Sequence, residues 1–264
     1  MLICKDIQKS FDIGTATEKN VLRGVNFTLN PGDFVSVIGG NGAGKSTILN
    51  TIAGVFSVES GNIVINDHDV TRIHEHNRAK YIGRVFQDPR MGTVPNMTIE
   101  ENLAIAYRRG KRRTLRWGIS KKEREFFFEE IKALGLGLEE RLRTKVGTLS
   151  GGQRQALTLL MATIQKPLIL LLDEHTAALD PKTAKIVLDL TNKIVQENQL
   201  TTLMVTHNMK DALKSGNRLM MMHEGNIILD VAGNEKASLT VPDLLKLFEQ
   251  ASGEEMASDR MLLG

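Results

Sequence analysis

The sequence predicts an α/β fold: an antiparallel β subdomain, a mostly parallel sheet, and a helical subdomain inserted between its strands. Three observations carry this. Residues 34–54 read as strand, glycine-rich loop and helix, with Phe34-Val35-Ser36-Val37-Ile38 first, then Gly39 to Thr47, then Ile48, Leu49, Ile52 and Ala53 on one helical face, and Gly54 as the stop. The runs 168–172 and 201–206 are apolar enough for strands buried on both faces, as parallel strands are. Between these two groups of strands, residues 88–160 change to helical periodicity.

In chain order, residues 2–11 and 21–29 read as two strands around a turn region at Gly14, and Phe11 ends the first as a core or edge aromatic. Asn30-Pro31-Gly32 turns the chain into the glycine-loop strand. Residues 61–70 offer one strand with Ile63 and Ile65 on a shared face, and residues 83–87 a short one broken by Pro89. Thr98 with Glu101, and Ser120 with Glu123, make capping boxes for helices through about Tyr107 and Leu134. Ser150 caps a helix apolar enough to be buried, and Asp180-Pro181 starts another with Val187, Leu190 and Ile194 as its stripe. Residues 218–223 and 227–230 form a hairpin around Glu224-Gly225, and a last amphipathic helix buries Leu244, Leu245, Leu247 and Phe248. We divide the chain into a single domain, 1–250, with a core from 1–87 and 161–250 and a helical subdomain over 88–160. The tail, 251–264, lacks a pattern and is expected to be mobile.

Composition excludes several classes. With 264 residues and 41% hydrophobic content the chain can bury a large core, and a net charge of +3 is too small to argue for nucleic acid by itself. Cys4 is the only cysteine, so no intrachain disulfide is possible and a reducing compartment is expected. The first residues meet charge too early for a signal peptide, and no run approaches the roughly 18 apolar residues of a membrane span. Any role at a membrane therefore requires docking onto another protein's spans. The run from Arg108 to Arg116 with Trp117 is basic enough for lipid headgroups or nucleic acid, and equally fits a solvated connector; one aromatic gives base stacking little support. His68, His74, Glu75 and His76 lie close together, but no further ligand pattern completes a metal set.

The chemistry concentrates at four places. Gly39-Gly40-Asn41-Gly42-Ala43-Gly44-Lys45-Ser46-Thr47 fits the phosphate-loop pattern in its required strand and helix context. Its backbone N–H groups can point at phosphate oxygens, Lys45 can reach the β- and γ-phosphates, and the Ser46 hydroxyl can ligate Mg²⁺. Asp173-Glu174 at the end of a buried strand suggests Mg²⁺ binding through Asp173 and water activation by Glu174. Ser150-Gly151-Gly152 leaves bare N–H groups at a helix start, a second anion site. His207 ends a strand where ligands meet open α/β sheets.

Together these motifs resemble the ATP-binding cassette family, the nucleotide-binding subunits of ABC transporters, over nearly the whole chain. The resemblance implies a P-loop NTPase (RecA-like) core, ATP and Mg²⁺ as cofactors, and ATPase activity. By the family's pattern Gly39 to Thr47 is similar to the Walker A loop, Leu168 to Asp173 to the Walker B strand, and Glu174 to the catalytic carboxylate. Gln87 matches the glutamine that contacts Mg²⁺ and the attacking water, and His207 the switch histidine. Phe11 stands where an aromatic stacks on adenine. Leu149-Ser150-Gly151-Gly152-Gln153 is similar to the signature motif, which acts on the ATP of a second copy, and Asp180 belongs to the D-loop that communicates across that dimer. Implied partners are integral membrane permease subunits, a second copy of the chain and, indirectly, a substrate-binding lipoprotein, at the cytoplasmic face of the membrane. Residues 143–148 lack the acidic pattern common in exporters, and residues 173–183 look like a bacterial importer branch associated with aromatic amino-acid uptake. His175 departs from the proline or small residue usual after the glutamate. The alternative, a soluble ABC-type ATPase acting on nucleic acid or ribosomes, rests only on the basic run, since the chain has neither tandem cassettes nor a long coiled coil.

Overall fold

Among residues 1–111 and 118–252, which the computed structural model describes, the strands form two sheets. The second half of the basic run, from Arg112 through Trp117, and the tail from Gly253 lie outside the described residues. Strands β1 (Leu2–Phe11) and β2 (Lys19–Leu29) pair antiparallel, and β3 (Phe34–Gly39) then delivers the chain through the glycine loop into α1 (Lys45–Ala53). Gly54 ends α1 in the left-handed region, its N–H bonding the carbonyls of Asn50 and Thr51.

The stretch expected as one strand over 61–70 is instead a hairpin. β4 (Ser60–Ile65) breaks at Asn66 and Asp67, both at positive φ (47° and 64°), and returns as the two-residue β5 (His68–Asp69). Two successive left-handed residues are what a type I′ turn needs, and Asn-Asp tolerates them. These strands complete the first sheet in the order β2-β1-β4-β5.

Then follow α2 (Glu75–Arg78), β6 (Ile82–Val85), α3 (Ile99–Tyr107) and α4 (Lys121–Lys132). The chain continues with α5 (Gly151–Thr163), β7 (Ile169–Asp173), α6 (Pro181–Asn198) and β8 (Thr202–Val205). The two capping boxes form as read, Thr98 and Ser120 each accepting from the backbone N–H three residues on while Glu101 and Glu123 reach back, and the Ser150 cap proves to be a third box with Gln153. Asp180 caps α6 ahead of Pro181. The last elements are α7 (Met209–Lys214), β9 (Arg218–His223), β10 (Asn226–Ala232), α8 (Gly233–Ser238) and α9 (Val241–Ser252). Neither α7 nor α8 was expected. Both are six residues long, too short to show a period, although Asn208 caps α7 by accepting from the N–H groups of Lys210 and Asp211.

The second sheet runs β10-β9-β3-β8-β7-β6, parallel except for β10. Both faces are covered, which explains strands without polar alternation. On one side Val35, Val37, Leu171 and Leu203 pack with Ile48, Leu49 and Ile52 of α1 and with Leu2, Ile7 and Ile63 of the first sheet, so α1 is held between the sheets. On the other, Leu170, Leu172 and Met204 meet Leu159 and Ala162 of α5 and Leu188 and Val195 of α6. A separate cluster joins Ile99, Leu103, Phe127 and Ile131 to Leu157 and Leu160. Helix α5 thus serves both clusters, and the division at 160/161 falls within it.

Candidate functional site

The strand order puts β3, β8 and β7 side by side, so the loops after their carboxyl ends converge. That is where open α/β sheets meet their ligands. The glycine loop follows β3, Glu174 follows β7, and His207 follows β8. Backbone bonds stitch the three ends together: Glu174 N–H donates to Val205 O at 3.0 Å and Thr206 N–H to Val37 O at 3.1 Å.

Glycine is required at Gly39, where φ is +152° and a Cβ would stand 2.2 Å from the Met222 carbonyl oxygen. Gly44 caps α1 at φ +100° with Leu22 pressed against it, so Lys45 and Ser46 become the first helical residues. Lys45 is buried. Its ammonium donates to Gly39 O at 2.8 Å and Gly40 O at 3.0 Å, and burial pulls its pKa down. Its hydrogen bonds are made with its own loop, at the N-terminus of α1 where free N–H groups favour an anion.

Ser46 Oγ donates to Asp173 Oδ1 at 3.3 Å, joining the first residues of α1 to the end of β7. Burial raises the Asp173 pKa, and the nearby Arg84 guanidinium, 3.6 Å away, opposes that rise. Glu174 adopts a left-handed backbone at φ +45°. Its Oε2 lies 3.4 Å from His207 Nδ1; bonding to the imidazole lowers the Glu174 pKa, and the carboxylate raises that of His207. The two neighbouring carboxyl groups are therefore shifted in opposite directions, Asp173 up by burial and Glu174 down by the imidazole. A hydroxyl and a carboxylate at one point, with the Gln87 side chain lining the same cavity as Asp173, form an oxygen donor set of the kind Mg²⁺ takes, so the residues fit that ion.

That cavity, about 870 Å³, lies between the end of α1, the segment 86–91 and the start of α5, with Gly151 and Ala178 on its wall. Exposed Ser150 caps α5 at this rim. Gly152 is fixed by packing: a Cβ there would be 2.0 Å from Thr183 Cγ2, so the start of α5 rests on the first turn of α6, which Asp180 caps. Phe11 lies at the end of β1, edge-to-face with Phe56 at 5.2 Å, with Lys9 Nζ also 5.2 Å from its ring.

Arg84 escapes the motif reading, and His175 stands in it only as a departure with no role. Arg84 ends up beside Asp173, and its only signal was a charge inside a short buried strand. His175 is 2% exposed, and its Nε2 is 2.9 Å from Thr191 Oγ1. Thr191 donates its own hydroxyl proton to Val187 O at 2.8 Å, so its oxygen receives the His175 N–H. The histidine thus anchors the turn after Glu174 to the middle of α6.

The family model for ABC transporters matches residues 22–177. A tyrosine transport ATP-binding protein of Clostridioides difficile (strain R20291) is 45% identical over 251 residues, covering 95% of this chain and all of the relative. The spermidine/putrescine import ATP-binding protein PotA of Pasteurella multocida (strain Pm70) is 32% identical over 83% of this chain, which spans 56% of that relative's length. Among solved structures, a dimeric ATP-binding cassette in a post-hydrolysis state bound to ADP and Pi superposes with a TM-score of 0.75 at 29% identity, covering 88% of this chain and 98% of that one.

Proposed function

This chain belongs to the ABC transporter family and is an ATPase, and we propose that it powers a membrane importer through ATP-driven head-to-tail closure of two copies. The observation that carries the reading is the convergence of Lys45, Asp173, Glu174 and His207 at the carboxyl ends of adjacent strands β3, β7 and β8. Phosphoryl transfer asks a protein mainly for positioning and charge stabilisation, and these groups supply both.

Lys45 would exchange its bonds to Gly39 O and Gly40 O for the β- and γ-phosphates, while the loop amides from Gly40 to Thr47 cradle the chain of phosphates. Ser46, Asp173 and Gln87 would hold Mg²⁺, which supplies neutralisation of charge building on the phosphoryl oxygens. Glu174, held ionised by His207, orients and polarises the attacking water, and His207 contacts the γ-phosphate. Phe11 would stack on adenine. Ser150, Gly151, Gly152 and Gln153 act on the nucleotide of the second copy, and Asp180 links the two sites. ATP then bridges the dimer, and hydrolysis releases it.

Among the described residues no helix is long and apolar enough to cross a membrane. The chain would therefore couple to separate permease subunits at the cytoplasmic face, with residues 88–160 moving as a helical subdomain beside Gln87. A substrate-binding lipoprotein would deliver the solute. The relative named for tyrosine transport, alike over its full length, supports an aromatic amino acid as the solute, and the one named for spermidine/putrescine import supports the inward direction.

Glu174→Gln tests the catalytic core. Fluorescent nucleotide titration should show Mg-ATP still bound, turnover should fall by at least the roughly 10²-fold of a lost general base, and light scattering should find an ATP-bound dimer. Hydrolysis near the parent rate would remove Glu174 from the chemistry, and a species that stays monomeric with saturating Mg-ATP would count against composite sites.

A further inference from the structure

The Arg84 side chain is held between three groups. One terminal nitrogen, Nη2, donates to Asn50 Oδ1 of α1 at 2.7 Å; the guanidinium lies 4.5 Å from the Phe86 ring centroid; and Nη2 stands 3.6 Å from Asp173 Oδ2. Its Nε is buried without a hydrogen-bond partner. The directed bond goes to Asn50 and the stacking to Phe86. What Asp173 receives is a fixed positive charge on Oδ2, the oxygen opposite the one facing Ser46. Both partners are largely buried, with 13% and 16% of their side chains exposed, so solvent screens the pair poorly.

Each carboxylate at the metal position then already has a cationic or hydrogen-bonding neighbour, Arg84 for Asp173 and His207 with Lys45 for Glu174. A divalent cation entering alone would meet in Asp173 a carboxylate whose charge is already opposed by the fixed Arg84 guanidinium. A nucleotide brings its own anionic phosphates and tips the balance toward the metal. We propose that Arg84 is a resident counter-ion of Asp173 that makes divalent-metal binding conditional on nucleotide, an inference that rests on the Asp173–Ser46 metal site proposed above.

Removing the charge should create a nucleotide-free metal site. The probe is Mn²⁺, followed by electron paramagnetic resonance of the free ion, with the full chain as wild type, Arg84→Met and Arg84→Lys. The methionine variant keeps an apolar stem over Phe86, and a melting curve checks that each variant is folded. Without nucleotide, Arg84→Met should bind Mn²⁺ at least tenfold more tightly than wild type, and adding Asp173→Asn should abolish the gain. Arg84→Lys, which keeps the charge but not the planar fork, should stay close to wild type.

Mn²⁺ binding by Arg84→Met that equals or falls below wild type would overturn the inference, a fall showing that Arg84 orients Asp173 instead. A lysine variant that behaves like the methionine variant would also overturn it. Wild type titrated with Mn²⁺ and ATP together separates the two readings. If Asp173→Asn leaves that binding unchanged, the metal-site assignment itself fails. If binding there needs Asp173 but Arg84→Met gains nothing without nucleotide, only the counter-ion role fails.

Discussion

Acid should destabilise this protein through His175 before it reaches the carboxylates. The imidazole is 2% exposed, donates one hydrogen bond to Thr191, and burial pulls its pKa from 6.5 to about 4. Because the folded pKa lies below the unfolded one, the neutral ring's contribution is complete above pH 6.5. It is lost as pH falls from there toward 4, where the unfolded chain takes the proton and the folded chain does not. The full gap corresponds to roughly 3 kcal/mol, of which about 2 kcal/mol is lost between pH 7 and pH 5 at 1.36 kcal/mol per pH unit. Carboxylates such as Glu174 and Asp180, whose pKa values are lowered, are still ionised in both states over that range. His207 acts in the opposite sense, since its pKa is raised, but it is common to both proteins under comparison. The assay is urea denaturation of nucleotide-free wild type and His175→Gln at pH 7 and pH 5. Wild type should lose about 2 kcal/mol more than the variant on acidification. Equal losses in the two proteins would refute the assignment of a buried neutral histidine.

Replacing Ser150 with arginine should leave nucleotide binding by the separated subunit intact while turnover falls roughly 10²-fold, as for loss of an anion-stabilising donor; loss of binding in a fluorescence titration would place Ser150 in its own subunit's pocket. Arg78 is 2% exposed and donates to the carbonyls of Thr51, Ile52, Thr71 and Ile73, two of which end α1. Arg78→Met should cost about 3 kcal/mol through orphaned buried acceptors and lower the melting temperature by on the order of 10 °C. An unchanged melting temperature would show that the last turn of α1 finds other partners.

The site was legible in the sequence where chemistry is written in residue type and spacing. A phosphate loop needs glycines at fixed positions, because Gly39 and Gly44 stand at φ values and contacts that a side chain would not survive. Asp173 and His207 could be placed because runs buried on both faces announce parallel strands, and the residue after such a strand faces the ligand. Capping boxes located α3 and α4, and the Ser150 cap located α5, to within a residue or two for the same reason: the bond that starts the helix is between side chain and backbone three residues apart. The hairpin of β4 and β5 was lost because Ile63 and Ile65 suited a continuous strand, and the turn lay in two residues, Asn66 and Asp67, whose left-handed conformation their type permits without demanding it.

Buried titratable side chains were the least legible feature, and the reason lies in what they bind. Arg78 is satisfied by four carbonyls, Lys236 by those of Ser215 and Gly216, and His175 by a threonine hydroxyl sixteen residues away. Every residue carries a carbonyl, so no composition or spacing marks the partner, and the buried cation reads in the sequence as an ordinary surface residue. Burial without a countercharge brings the Lys236 pKa to about 8 and leaves the ring of His175 neutral, whereas Arg84, beside Asp173, keeps a carboxylate within reach. Carbonyl-bound cations fasten loops to helix ends, as Arg78 does for α1 and Lys236 for the corner before β9. A buried cation set instead against a carboxylate at a ligand-binding strand end has its charge left to act on whatever enters there, which distinguishes Arg84 from the other two.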